Sequence, residues 1–218
     1  FTTGGQDHAT KTDHAQQQPR TARYQALLKE LQKKQTFQWV NGSRISFRLD
    51  AEDWLPGIIA VNIYPVDEAK EDSESLSILD LEMDDGAMPL QGSFGRICIE
   101  LIDVKGEPAL FISQVQESRG YQQMIKRAFR KNKDVAKYRQ WKQRAIEHIR
   151  QTAKFAGIKL FYANTPQRIK KEFPSITNGS LRRNYQNLFR DHWKKKEIRF
   201  RSLYAGKEEQ TVLWEYVP

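Results

Sequence analysis

The segments ALFISQVQ (109–116), WKQRAIEHIRQTAKFAGI (141–158) and KLFYAN (159–164) decide the fold, because they read in order as strand, long helix and strand. The first and last are rich in β-branched or aromatic residues, which suit a pleated, buried surface. Between them Tyr138, Trp141, Ala145, Ile149, Ala153 and Ala156 recur at helical spacing, and Gly157 supplies a C-cap. Upstream, GRICIELIDV faces ALFISQVQ across the turn Lys105-Gly106-Glu107-Pro108, so Gly95–Val104 and Ala109–Gln116 are expected to form an antiparallel hairpin. Tyr121, Met124, Ile125 and Ala128 mark a short extra helix before the long one. Downstream, Asn164-Thr165-Pro166 ends a strand. From Ser180 a further helix is expected, with Tyr185, Leu188, Phe189, His192 and Trp193 on one face and Lys194 to Lys196 at its C-terminal dipole. EIRFRSLY (197–204) and TVLWEYV (211–217), joined by AGKEEQ, close as a hairpin.

Toward the N-terminus, Tyr24, Leu27, Leu28 and Leu31 predict a helix over Ala22 to Lys34, and Asn41-Gly42 turns the chain. ISFRL, GIIAVNIYP and SILDLEM read as further strands, with the acidic surface loop DEAKEDSES between the last two. Residues 1–21 are polar and lack periodicity, which reads as a flexible tail or linker. The expected architecture is one α+β domain over 22–218, with a mixed, mainly antiparallel sheet flanked by helices.

Of the 218 residues, 39% are hydrophobic and 11% aromatic, including five Trp, which argues for a packed core. The net charge of +9 conceals a division. Glu117 to Arg201 holds 24 Lys and Arg against 6 Asp and Glu, a net +18, and the flanking parts are acidic. Such an interval suits an anionic partner, either the phosphates of a cofactor or a nucleic acid. The single cysteine, Cys98, sits in the apolar run RICIELI and has no internal disulfide partner, so a reducing, cytoplasmic setting is expected. No apolar stretch is long enough for a membrane-spanning helix, so no membrane partner is expected. A chain opening on Phe1 reads as a piece of something larger.

The common site signatures are absent: no P-loop, HExxH, GxSxG or CxxC occurs. His148 and His192 lie on separate helices and read as ordinary histidines, so no metal site is expected. Asp80, Glu82, Asp84 and Asp85 lack the glycine and distant glutamate of a calcium loop and read as a solvated strand end. GSFG at 92–95 reads as a loop. Asn41-Gly42-Ser43 and Asn178-Gly179-Ser180 read as turns and a helix cap. On the long helix Arg139, Lys142, Arg144, Arg150 and Lys154 surround the apolar stripe, which fits phosphate neutralisation or a solvated face whose long side chains cover the core.

The order of elements over 95–217 resembles the second half of the GNAT N-acyltransferase superfamily. It is carried by ALFISQVQ, WKQRAIEHIRQTAKFAGI, KLFYAN, LRRNYQNLFRDHW (181–193) and the two closing strands. A looser resemblance is to GNAT-like domains of large phage and mobile-element proteins, with ISQVQ before a Trp-bearing helix. The resemblance implies an acyl-CoA-dependent N-acyltransferase, or a degenerate relative, binding acetyl-CoA or another acyl-CoA. Its cofactor contacts would fall at Val115, Arg119, Gly120, Gln122 and Asn164, the loop Gln116-Glu117-Ser118-Arg119-Gly120 lying where backbone N–H groups meet pyrophosphate. That loop departs from the family pattern, having one glycine and an insertion before the long helix. Glu100 and Glu117 are the implied bases and Tyr185 the implied acid. Each keeps an alternative: Glu100 facing solvent, Glu117 capping a turn, Tyr185 in the core, Arg119 one charge among many. A noncatalytic nucleic-acid-binding module, or a scaffold domain of a larger phage or mobile-element protein, is the alternative function.

Overall fold

The computed structural model of the chain describes residues 22–33, 35–38, 45–55, 57–67, 93–130, 140–172, 185, 187–189, 191–203 and 206–218. The tail at 1–21, the SILDLEM strand and the carboxylates Asp80, Glu82, Asp84 and Asp85 lie outside them. Helix α1 covers 22–31 and is followed by β1 (Gln35–Gln38), β2 (Ile45–Leu55) and β3 (Ile58–Asp67). The expected hairpin follows as β4 (Gly95–Val104) and β5 (Glu107–Glu117), with Lys105 and Gly106 both at positive φ in its turn. Helices α2 (Arg119–Arg130) and α3 (Trp141–Phe155) lead to β6 (Leu160–Ala163), and Gly157 closes α3 with φ +79°. Helix α4 (Pro166–Glu172) comes next, then β7 (Trp193–Ser202) and β8 (Glu208–Tyr216).

Two expectations change here. Thr165-Pro166 does more than end a strand: Thr165 Oγ1 accepts from Arg168 N–H at 3.4 Å, and Pro166 is the first residue of α4. Proline at the first helical position forfeits an N–H that the helix would leave unpaired anyway. The second change is that Lys194 to Lys196 lie on strand β7, not at a helix terminus. Helical geometry is limited to residues around 185–188 among those described there.

The eight strands form one sheet in the order β1-β2-β3-β4-β5-β6-β8-β7. Every neighbouring pair is antiparallel except β5 and β6, whose parallel pairing requires the crossover through α2 and α3. Strand β8 enters between β6 and β7, and β7 returns to β4 through Ile102↔Ser202 and Asp103↔Arg201. The fold is therefore α+β with a mixed, mainly antiparallel sheet, as expected, but β4, β5, β6, β8 and β7 close into a five-stranded ring that the expected architecture did not include.

Side-chain alternation gives the ring two separate cores. Ile102, Val104, Ala109, Phe111, Tyr162, Ile198, Phe200 and Leu213 come from all five ring strands and bury one another. Arg168 of α4 lies over Phe111 and Phe200, 5.1 and 5.8 Å from their centroids, and is held there by Glu209 at 3.1 Å. The opposite faces, with Ile97, Ile99, Leu101, Leu110 and Ile112, pack under the helices. Phe47, Phe94, Tyr121 and Trp141 form an aromatic cluster there, with neighbouring rings 5.2 to 5.7 Å apart. Gly95 begins β4, where the hairpin reading places it, and allows this cluster to close. A Cβ on it would stand 2.2 Å from Gln116 O and 2.7 Å from Trp141 Cη2.

Candidate site at the parting of the parallel strands

Strand β5 carries an irregularity: Cys98 pairs with Gln114 and Ile99 with Ile112, so Ser113 is the extra residue of a β-bulge. The bulge coincides with the end of the parallel ladder, whose last pair is Ile112↔Ala163. Beyond it β5 runs on to Glu117, whereas the chain after β6 turns into α4. The carbonyls of Ile112 and Ser113 both face Asn164, accepting from its backbone N–H at 3.0 Å and its Nδ2 at 3.1 Å. Successive carbonyls turned to one side are what a bulge produces and a regular strand forbids. Asn164 is 2% exposed, and its Oδ1 is buried without a hydrogen-bond partner among the described residues.

One step along β5, the Val115 N–H donates to the Tyr185 hydroxyl at 3.1 Å. Tyr185 is buried, and its ring packs 5.8 Å from Phe189, which packs in turn edge-on against Trp193 at 4.8 Å. Burial pushes the Tyr185 phenol up to about 12; the Val115 bond pulls the other way and Cys98 adds to the rise. Tyr185 therefore holds its proton at neutral pH. The rise also has a stability consequence. Its folded pKa lies above the ordinary tyrosine value near 10, so the contribution is intact below about pH 10 and lost as pH climbs toward 12. Two units correspond to roughly 2 to 3 kcal/mol. Urea titrations at pH 9 and pH 11.5 are expected to show wild type losing about that much more than Tyr185→Phe.

Of the sequence-derived residues, the structure joins Val115 to Tyr185 by a hydrogen bond and holds Asn164 against Ser113, two residues before Val115 on β5. Glu117 lies at the end of β5 and forms an ion pair with Lys142 of α3. Glu100 is half-buried on β4, paired with Phe111. Gly120 and Gln122 belong to α2, which Arg119 starts. Ser118 precedes it as a cap, its Oγ accepting from Tyr121 N–H at 3.1 Å and its carbonyl from Gln122 N–H at 3.1 Å. The first-turn donors of that helix are thus partly engaged by its own cap. Cys98, behind the bulge, is no thiolate: burial pushes it to about 11, Arg96 lowering and Glu100 raising it.

Sequence reasoning missed Ser113, which receives no local signal, since neither glycine nor an unusual turn residue marks the bulge. A cleft of about 190 Å³ between α3 and residues 188–193 was also missed, lined among others by Glu147, Arg150, Asp191, His192, Trp193 and Tyr216. Arg150 is committed within it, bonding Glu147 at 2.5 and 2.9 Å and lying 4.1 Å from the Tyr216 centroid. Burial opposes Glu147 ionisation, yet the bonds from Arg150 and Gln151 hold its carboxyl below the usual range.

The basic interval is also partly neutralised: Lys142, Arg150, Arg168, Lys196 and Arg199 each pair with a carboxylate. Among the described residues no three His, Cys, Asp or Glu side chains gather as a metal site, and no helix is long and apolar enough to cross a membrane. Compared with protein-family models, curated proteins and solved structures, the chain matches none.

Proposed function

We propose that this chain is a GNAT-like acyl-CoA-dependent N-acyltransferase, or a degenerate GNAT-like relative, that binds its ligand where β5 and β6 part. The single observation that carries the reading is the parting of β5 from β6 at the Ser113 bulge, where a buried amide side chain holds a bulge carbonyl and, two residues on, a backbone amide meets a protonated phenol. The resemblance in element order supports it.

An extended pantetheine arm suits such a split, because its amides alternate donors and acceptors much as a strand does. Val115 N–H would donate to one of its carbonyls, and Asn164 Oδ1 would accept one of its N–H groups, removing a buried unpaired acceptor. Acyl-CoA supplies the activated acyl thioester. Tyr185, still protonated at neutral pH, is the donor for the departing thiolate. The resemblance offers Glu100 and Glu117 as the base, and Glu117 is paired with Lys142. The capped start of α2 makes the phosphate end of the ligand the weaker part of the fit.

A ligand that binds only the folded state stabilises it by mass action, about 2.7 kcal/mol at a hundredfold excess over Kd. Acetyl-CoA and S-acetylpantetheine are both expected to raise the melting temperature, the fragment because the split recognises the arm. Absence of a shift with either at millimolar concentration overturns the reading. A shift with acetyl-CoA alone, abolished by salt, would mark phosphate attraction to a basic surface and overturn it too. Nucleic-acid binding is the alternative, recognised by an affinity that falls linearly in log–log form with salt.

A further inference from the structure

The same geometry that offers an amide to a ligand also covers it. Val115 N–H is satisfied by Tyr185 at 3.1 Å, and Tyr185 is 3% exposed. Its backbone carbonyl accepts from Phe189 N–H at 3.0 Å, and the rings of Tyr185, Phe189 and Trp193 make tilted and edge-on contacts in series to the start of β7. Val115 pairs with Ile97 across β4, and the side away from that pairing is met by a side chain instead of a strand. One donor therefore faces two claimants, the phenol oxygen and any carbonyl that enters the split.

We infer that Tyr185 is a latch on the split: in the free chain its hydroxyl oxygen holds the Val115 amide, and an acylated pantetheine arm binds by displacing it. This rests on the reading given above. The phenol would then serve twice, first as the group that keeps the β5 amide from being buried unpaired and afterwards as a hydroxyl released beside the ligand. The first role costs affinity, because ligand entry must break a made hydrogen bond and expel a packed side chain. The latch is seated through tilted and edge-on ring contacts on Phe189 and on Trp193, the first residue of β7.

A catalytic role alone and a latch predict opposite signs in a binding measurement. Tyr185→Phe keeps the ring and removes the oxygen, leaving Val115 N–H unpartnered in the free chain and satisfied only when ligand arrives. A hydrogen bond of ordinary net strength converts to about a threefold to tenfold change in affinity. Calorimetric titration with acetyl-CoA is therefore expected to show tighter binding by Y185F than by wild type, whereas turnover falls. Equal or weaker binding by the variant overturns the latch and leaves the acyltransferase reading standing. Binding by neither protein overturns both. Should Y185F fail to fold, wild type decides by NMR: acetyl-CoA must move the Tyr185 ¹³Cζ resonance together with the Val115 amide. A shifted Val115 beside an unmoved Tyr185 overturns the latch.

Discussion

Gly95→Ala is expected to lower the stability of the fold by roughly 3 kcal/mol, read as a shift in the urea midpoint at unchanged m. One methyl group does this because of what surrounds it. The added Cβ would lie 2.2 Å from a backbone carbonyl, Gln116 O, and 2.7 Å from the edge of Trp141. Neither neighbour is the free end of a flexible chain: the carbonyl belongs to the β4–β5 ladder and Trp141 is fully buried at the start of α3. Relief requires α3 to lift from the sheet, loosening the contacts of Trp141 with Tyr121 at 5.7 Å and Phe94 at 6.4 Å. Gly106→Ala provides the control. Nothing lies within 4 Å of its added Cβ, and its penalty is only that of a left-handed backbone, about 1 kcal/mol. If the two variants lose the same stability, steric crowding at Gly95 is not the reason for the glycine.

Asn164→Asp is nearly isosteric and is expected to cost about 3 kcal/mol or more at pH 7. Nδ2 of Asn164 donates to Ser113 O, and the side chain is almost wholly buried. An ionised carboxylate there would turn an oxygen toward a carbonyl oxygen and lose its hydration. Both effects disfavour the charged form, so the folded pKa of the aspartate would rise above its ordinary value near 3.9. The sign follows: below about pH 4 the group is protonated in both states and donates to Ser113, so the penalty is small, and it grows as pH rises. Urea unfolding of both proteins at pH 4 and pH 7 tests this. A loss that is independent of pH would mean that Asn164 acts through shape and not through its donor.

These two positions differ in how far the sequence disclosed them. Asn164 stood at the end of a recognisable strand, and the family resemblance singled it out before its bonds were known. Gly95 was legible as the start of β4, but the need for a glycine there was not, because its reason is a tryptophan far along the chain. The β4–β5 hairpin and α3 were legible because their signals are local: Lys105-Gly106 makes the turn, and a 3.6-residue stripe ends at Gly157. At 185–193 the local signal misled. Tyr185, Phe189 and Trp193 keep helical spacing, yet Trp193 already belongs to β7, and the following lysines have no periodicity to contradict a helix. Pairing with β8 overrides the pattern, as tertiary context does where propensity is weak. Thr165-Pro166 carries the signal for α4, since a proline that ends a strand also suits the first position of a helix. The groups at the split were legible one by one, but the bulge beside them was not.

Ring closure between β4 and β7 has a consequence for how the chain is made. β4 acquires β5 at once across a short turn, but the pairing at Ile102 and Asp103 waits for Ser202 and Arg201. Throughout synthesis of everything between, the Ile102 end of an apolar strand has an open edge, the kind of surface on which neighbouring chains pair and aggregate. β6 waits as well, because its antiparallel neighbour is β8. The β7–β8 hairpin, made after the other ring strands, thus seals two exposed edges together, and a nascent chain cut short before it would be left with both.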